Sequence, residues 1–388
     1  MPARRLPQQF APNEITALLE EKRRVGARVL DLTETNPTRV GLAGAGPAEL
    51  RALADPRGAV YEPDPVGMSA AREAIARYYA ERAIPTSISA DDLVLVASTS
   101  EAYAHLFRLL CDPGDEILVP RPSYPLFEPL AALEDVRIDH YRLAYDGRWR
   151  LDTASLEAAL SPRTRAVVLV QPNNPTGSCL SGGEIAGVEA LCVERGIALI
   201  SDEVFGDFPW PPSTAALPSL LGERHALTFV LGGLSKLCGM PQMKLAWIAL
   251  AGPDAQRHEA RQRLEWIADL FLSVSTPVQL ALPTLLDARG RFQAAVRDRL
   301  AKNLARLRAL GDGDRAFRVF EGEGGWSAIL ATPPASRDFA LEALAKKDVL
   351  VHPGHFYDIA EEGCVVVSLL PEPDTFDQAL MRLKILLE

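Results

Sequence analysis

The sequence predicts an α/β fold built on a mostly parallel sheet. Three observations lead there. Short apolar runs alternate with longer stretches through the middle of the chain, the pattern of strands joined by crossover helices. The longer stretches carry apolar residues at helical spacing. The composition, 48% hydrophobic and 24% charged, is that of an ordinary globular protein rather than a disordered or fibrous one.

The strand candidates are residues 93–96, 117–119, 166–170, 197–200, 228–231 and 245–250. Residues 101–110 and 184–195 read as helices between them. The stretch from Leu231 to Leu245 is Gly-rich and leaves little room for a helix, so the last two strands are expected to pair antiparallel. Pro209-Trp210-Pro211-Pro212 reads as a surface loop. From about Pro283 the chain turns into Arg-rich and Ala-rich helix, followed by apolar strands near 328–330 and 364–369, which predicts a second, smaller domain. A length of 388 residues agrees with two domains.

Charge and cysteine usage narrow the function. With 41 Lys and Arg against 51 Asp and Glu, the net charge of −10 predicts no nucleic-acid or membrane partner and suits a small-molecule substrate. The five cysteines, Cys111, Cys179, Cys192, Cys238 and Cys364, form no CxxC pair and have no His at ligand spacing, so no metal site is expected. The first ten residues lack the apolar core of a signal peptide, and no run is long enough to span a bilayer. These features predict a cytoplasmic protein.

Ligands of open α/β sheets bind outside the carboxyl ends of the strands, so the polar residues after each apolar run matter most. Strand 93–96 leads to Ser98-Thr99-Ser100, and 117–119 leads to Pro122-Ser123-Tyr124. Strand 166–170 leads to Asn173-Asn174-Pro175-Thr176-Gly177, 197–200 to Asp202-Glu203-Val204-Phe205, and 228–231 to Ser235-Lys236. Each piece has an ordinary structural use. Ser98 and Glu101 fit a helix capping box, Asn before Pro starts turns, and Tyr124 could be a half-buried aromatic. Asp202, after a strand buried on both faces, needs a positive or hydrogen-bonding partner. Lys236, flanked by leucines, either snorkels to the surface or is held in a pocket, where desolvation frees its amine for an imine.

Taken in this order, from Asn36-Pro37-Thr38 through Tyr61 to the His352-Pro353-Gly354 loop, the set resembles the class I/II aminotransferases, fold type I pyridoxal-phosphate enzymes. The resemblance implies an aspartate-aminotransferase-like fold with a mostly parallel seven-stranded sheet. Residues 46–282 would form the large cofactor domain, and 1–45 with 283–388 a small α+β domain. It implies pyridoxal 5'-phosphate held as a Schiff base on Lys236, which then serves as general acid and base. Ser98, Thr99 and Ser100 would hold the phosphate at a helix N-terminus, and Ser235 beside the tether would also bind the cofactor. Tyr124 would stack on the cofactor ring, Asn174 would bond its phenolic oxygen, and Asp202 would keep its nitrogen protonated. Tyr61 would reach the phosphate of the neighbouring subunit in a homodimer with shared sites.

Three positions depart from that family. Lys244 stands where a phosphate-binding Arg is usual, which keeps the charge and loses the fork. Phe205 replaces a Tyr that bonds the phenolic oxygen. Val366 falls where an Arg normally clamps the substrate α-carboxylate, in a strand with no positive charge. Either the alignment slips, another cation such as Arg39 beside Asn36 takes over, or the substrate lacks that carboxylate. Cys238 has no base placed beside it, and His105 reads as a packed helix residue.

The resulting expectation is transfer of an amino group from an amino acid or amine to a keto acid. A lyase eliminating from Cβ or closing a ring would share every cofactor residue, and a non-catalytic homologue is a further alternative. A nicotinamide enzyme is disfavoured because no Gly-x-Gly-x-x-Gly turn follows the first central strand.

Overall fold

A computed structural model describes residues 3, 5–6, 11–82, 88–214, 217–272, 274–313, 317–332, 339–360 and 363–387. Most of the first ten residues, read above for a signal peptide, lie outside this set.

The larger sheet has eight strands: β1 (Leu93–Val96), β2 (Glu116–Arg121), β3 (Arg137–Tyr145), β4 (Trp149–Leu151), β5 (Thr164–Val170), β6 (Ala198–Asp202), β7 (Thr228–Gly233) and β8 (Ala246–Ala251). Their order is β1-β8-β7-β6-β5-β2-β3-β4. The pairs from β7 across to β3 are parallel. β8 lies antiparallel between β7 and β1, as the Gly-rich connection predicts. The expected α/β class and mostly parallel sheet hold, with one short strand more than the seven expected.

The continuous apolar runs follow from burial on both faces. In β1, Leu93 and Leu95 pack into the hydrophobic cluster on one side of the sheet, and Val94 and Val96 into the cluster on the other. β3 escaped the sequence reading because it sits near the sheet edge. Its Arg137, Asp139 and Arg142 reach solvent or partial exposure while Tyr141 and Leu143 are buried, so no apolar run exists to find.

A smaller antiparallel sheet joins Arg318–Val319, Ser327–Ala331, Cys364–Ser368 and His352–Pro353 in that spatial order. Leu30–Asp31 pairs in parallel with Val349–Leu350 nearby, so the early chain meets the late chain. One core cluster unites Leu30 and Leu32 with Val296, Leu300 and Leu304 of the helix Arg289–Gly313 and with Phe376 and Leu380 of the helix Pro373–Leu387.

The Pro-rich patch is a correction. Pro211 and Pro212 are exposed, but Trp210 is 2% exposed and donates its indole N–H to Gly325 O at 2.9 Å, and Pro209 bridges to Gly324. Proline content signalled a loop, and the large aromatic between the prolines anchors it.

Candidate functional site

A cavity of about 320 Å³ opens where the parallel strands end. Ser98, Thr99, Ser100, Tyr124, Asn174, Asp202, Phe205, Ser235 and Lys236 all line it. Asp202 and Lys236 are the only charged side chains among the described residues of its wall.

The anion-binding end is the start of the helix Thr99–Leu110. Ser98 caps this helix by accepting the Glu101 N–H at 3.1 Å, while Glu101 accepts the Ala97 N–H at 2.5 Å. The Ser98 cap read from sequence is present, but the box is not closed, because Glu101 reaches the Ala97 N–H rather than that of Ser98; Thr99 and Ser100 are left on the cavity wall. Ser235 faces the same cavity from the short helix Leu234–Leu237 after β7. Gly233, just before it, has no room for a side chain, because a Cβ there would lie 2.9 Å from the Ala246 Cβ on β8.

Asp202 ends β6. Its Oδ1 accepts the Val204 N–H at 3.2 Å and its Oδ2 accepts the Tyr103 hydroxyl at 3.1 Å. Burial raises its pKa, opposed by these two donors and by Lys236. The Lys236 ammonium stands 5.1 Å from the centroid of Trp326 and 5.6 Å from that of Phe205. Burial lowers its pKa, against the pull of Asp202. Desolvation therefore moves both groups towards their neutral forms, which favours a free amine at Lys236.

These residues fit pyridoxal phosphate. Asn174 Oδ1 is buried without a hydrogen-bond partner among the described residues, a polar atom whose desolvation a ligand group would offset. Asp202 offers a carboxylate to a ring N–H, Tyr124 offers a half-exposed ring, and the helix N-terminus with three hydroxyls offers an anion site.

The other sequence candidates lie off the cavity wall. Lys244 is exposed at a left-handed position, φ 51°. Tyr61 is 74% exposed. Asn36 caps the 3-10 turn Pro37–Arg39, accepting the Thr38 N–H at 3.0 Å, and the exposed Arg39 guanidinium lies 3.5 Å from Glu34. Val366 is buried in the small sheet between Ile329 and His352. The His352 Nδ1 meets the Tyr357 hydroxyl at 2.9 Å. Cys238 is buried, and burial pushes its thiol up to about 12. His105 is 2% exposed and packs on Phe271.

Sequence reasoning missed Thr35, Tyr103 and Ser327 on the wall. Tyr103 had a usable signal: it lies one helical turn after Thr99 and so shares its face. Ser327 comes from the small sheet, which no local motif connects to the strand ends. Behind the cavity, the turn carrying Phe205 is held from below. Buried Arg82 stands 3.5 Å from Asp207, 3.2 Å from the Tyr78 hydroxyl and 3.4 Å from both Gly206 O and Leu217 O. Tyr78 in turn donates to Asp207 at 2.6 Å.

The family profile "Aminotransferase class I and II" matches residues 29–383. The nicotianamine aminotransferase 1 of Oryza sativa subsp. japonica is 33% identical over 228 residues, 58% of this chain and 45% of that protein. The chain thus spans less than half the length of that relative. The glutamate-pyruvate aminotransferase of Escherichia coli is 27% identical over 280 residues, 71% of this chain and 68% of the relative. Among solved structures, the alanine aminotransferase of Pyrococcus furiosus superposes with a TM-score of 0.90 at 23% identity, covering 100% of this chain and 99% of that one.

Proposed function

This chain belongs to the aminotransferase class I and II family, and on that premise we propose that it moves an amino group from an amino acid or amine to a keto acid, using pyridoxal 5'-phosphate tethered to Lys236. The observation that carries the reading is the pairing of Lys236 and Asp202 as the charged side chains of one cavity that also holds a helix N-terminus. When bound, the cofactor supplies a ring that takes up the electron pair left at the amine-bearing carbon.

The chain's residues do the rest. Lys236, biased by desolvation towards its free amine, holds the cofactor and, once released, carries a proton off the amine-bearing carbon and back. Asp202 keeps the ring nitrogen protonated. Tyr124 covers one ring face, and Asn174 bonds the phenolic oxygen. Thr99, Ser100 and Ser235 receive the phosphate together with backbone N–H groups, and Lys244 adds charge. Phe205 brings a ring and no hydroxyl to its side of the cavity. Elimination on the same scaffold is the less favoured reading, since the relatives above are aminotransferases.

The division into 46–282 and 1–45 plus 283–388 is supported by the pairing of Leu30–Asp31 with Val349–Leu350. A homodimer is supported by the exposed apolar side chains Trp266, Leu270 and Leu272, at 67%, 62% and 68%, in and just after the helix Asp254–Phe271. Tyr61, at 74% exposure, is free to serve a partner's site. No helix among the described residues is long and apolar enough to cross a membrane, and five scattered cysteines with no CxxC pair fit a reducing cytoplasm.

Borohydride reduction of the cofactor-loaded protein followed by peptide mass spectrometry should mark Lys236. Amino donors should convert the cofactor spectrally, and a keto acid should reverse the conversion. Label on another lysine, or pyruvate and ammonia released without an acceptor, refutes the reading. Light scattering of wild type and Leu272→Asp tests the dimer, which the substitution should weaken.

A further inference from the structure

Asp202 is partly buried at the end of β6, where desolvation makes ionisation costly, and two donors within the fold counter that cost. One is the Val204 N–H, which any residue at position 204 except proline would supply. The other is the Tyr103 hydroxyl, which only this side chain supplies. Tyr103 is 4% exposed, and its ring is fixed edge-on against Phe127 at 5.3 Å and tilted against Phe107 at 6.0 Å. The hydroxyl is therefore placed by packing before any ligand arrives. Burial and the neighbouring carboxylate both hold its proton firmly, so it donates at any working pH. On the other side of the cavity, position 205 offers a phenyl ring without a donor.

We propose that Tyr103 is a positioning residue: its hydroxyl fixes Oδ2 of Asp202 and keeps that carboxylate ionised opposite the ring nitrogen of the cofactor, a role that rests on the aminotransferase reading above. The helix Thr99–Leu110 then serves both ends of the cofactor. Its first turn receives the phosphate, and its second turn, through Tyr103 and Asp202, sets the charge at the ring nitrogen. Seating of the phosphate and protonation of the ring are mechanically linked through one rigid element.

The test compares two cofactors. Tyr103→Phe keeps the ring and its packing and removes only the donor. A hydrogen bond to a charged group contributes about 1.5–3 kcal/mol, so the variant should bind pyridoxal phosphate about tenfold to a hundredfold more weakly in absorbance titrations of the cofactor-free protein. An analogue with C–H in place of the ring nitrogen should lose no affinity. Tyr141→Phe, which removes a hydroxyl bonded to Val168 O at 2.7 Å outside the cavity wall, should change neither constant. In an Asp202→Asn background, Tyr103→Phe should add no further loss. Equal losses for both cofactors, no loss for either, or full additivity with Asp202→Asn overturns the proposal. Wild type that binds pyridoxal phosphate with the Tyr103 dependence but transfers no amino group sinks the transaminase reading alone.

Discussion

Replacing Arg82 by methionine removes the cation that pairs with the Asp207 carboxylate in the turn beneath the cavity. Arg82 is 8% exposed and Asp207 is also 8% exposed, so the pair is withheld from solvent screening. Methionine fills much of the volume and makes none of the bonds. Among the described residues the Asp207 carboxylate would keep the Tyr78 hydroxyl, Leu217 O would lose its Arg82 donor, and Gly206 O would retain the Leu217 N–H. Removing one partner of a buried ion pair costs about 3–5 kcal/mol, because the remaining charge is uncompensated. Urea unfolding of the cofactor-free protein, followed by circular dichroism, should show a loss of that order. Phe205 lies two residues before Asp207 on the same turn, so cofactor affinity should fall as well. Neutralising the orphaned acid should restore part of the loss, with Arg82→Met/Asp207→Asn recovering about 1 kcal/mol or more relative to the single variant. A single-variant loss below about 1 kcal/mol, or strict additivity of the two changes, would falsify the claim that these groups act as a buried unit.

Three further outcomes are expected. Lys236 has its pKa lowered by burial, and such a base favours folding above the unfolded value of 10.5 and loses that contribution as pH falls. Lys236→Met should therefore raise the melting temperature of the cofactor-free protein at pH 7, with a gain that shrinks towards pH 10.5; calorimetry across that range finding a constant gain would contradict the desolvation argument. Phe205→Tyr adds a donor beside Lys236 and should lower the pH midpoint of the cofactor's visible absorbance change, so an unmoved midpoint counts against a cofactor oxygen at that place. A Cβ on Gly44 would sit 1.6 Å from the backbone oxygen of Cys238, so Gly44→Ala must displace the segment after Lys236 and cost about 3 kcal/mol or more, read as a large drop in thermal stability.

What the sequence made legible was whatever depends on short-range order. Asn174, Asp202 and Lys236 each follow an apolar run, and a strand buried on both faces is the strongest local signal a chain carries. The antiparallel β8 was readable because glycines at 232, 233 and 239 left room for no more than the single turn Leu234–Leu237 and a short 3-10 turn between it and β7, too little for a crossover helix. Gly232 in particular gives way to the Trp247 indole, which an added Cβ would meet at 2.7 Å. Illegible parts depend on distant neighbours. β3 alternates exposed and buried residues, so it showed no run, and Trp210 took its burial from Gly325, more than a hundred residues away. Helical spacing puts Tyr103 on the face of Thr99, but its partner Asp202 lies 99 residues away, so no local pattern reveals what its hydroxyl bonds. Trp326 and Ser327 reach the site from a sheet whose register with the larger one no motif records.

The insertion of β8 between β7 and β1 also sets the order in which the molecule can be completed. β1 carries the first half of the anion site, yet its sheet partner begins only at Ala246, about 150 residues later. A chain emerging from the ribosome can assemble β2 to β7 by neighbouring parallel crossovers while β1 waits and β7 presents an open edge. The six residues Ala246–Ala251 pair with both β7 and β1, closing that edge and joining the two parts of the sheet. Without β8 the edge of β7 is unpaired and open to association with another chain, and a truncation upstream of Ala246 removes the strand that joins β1, which leads to Ser98, to the strands that lead to Asn174, Asp202 and Lys236.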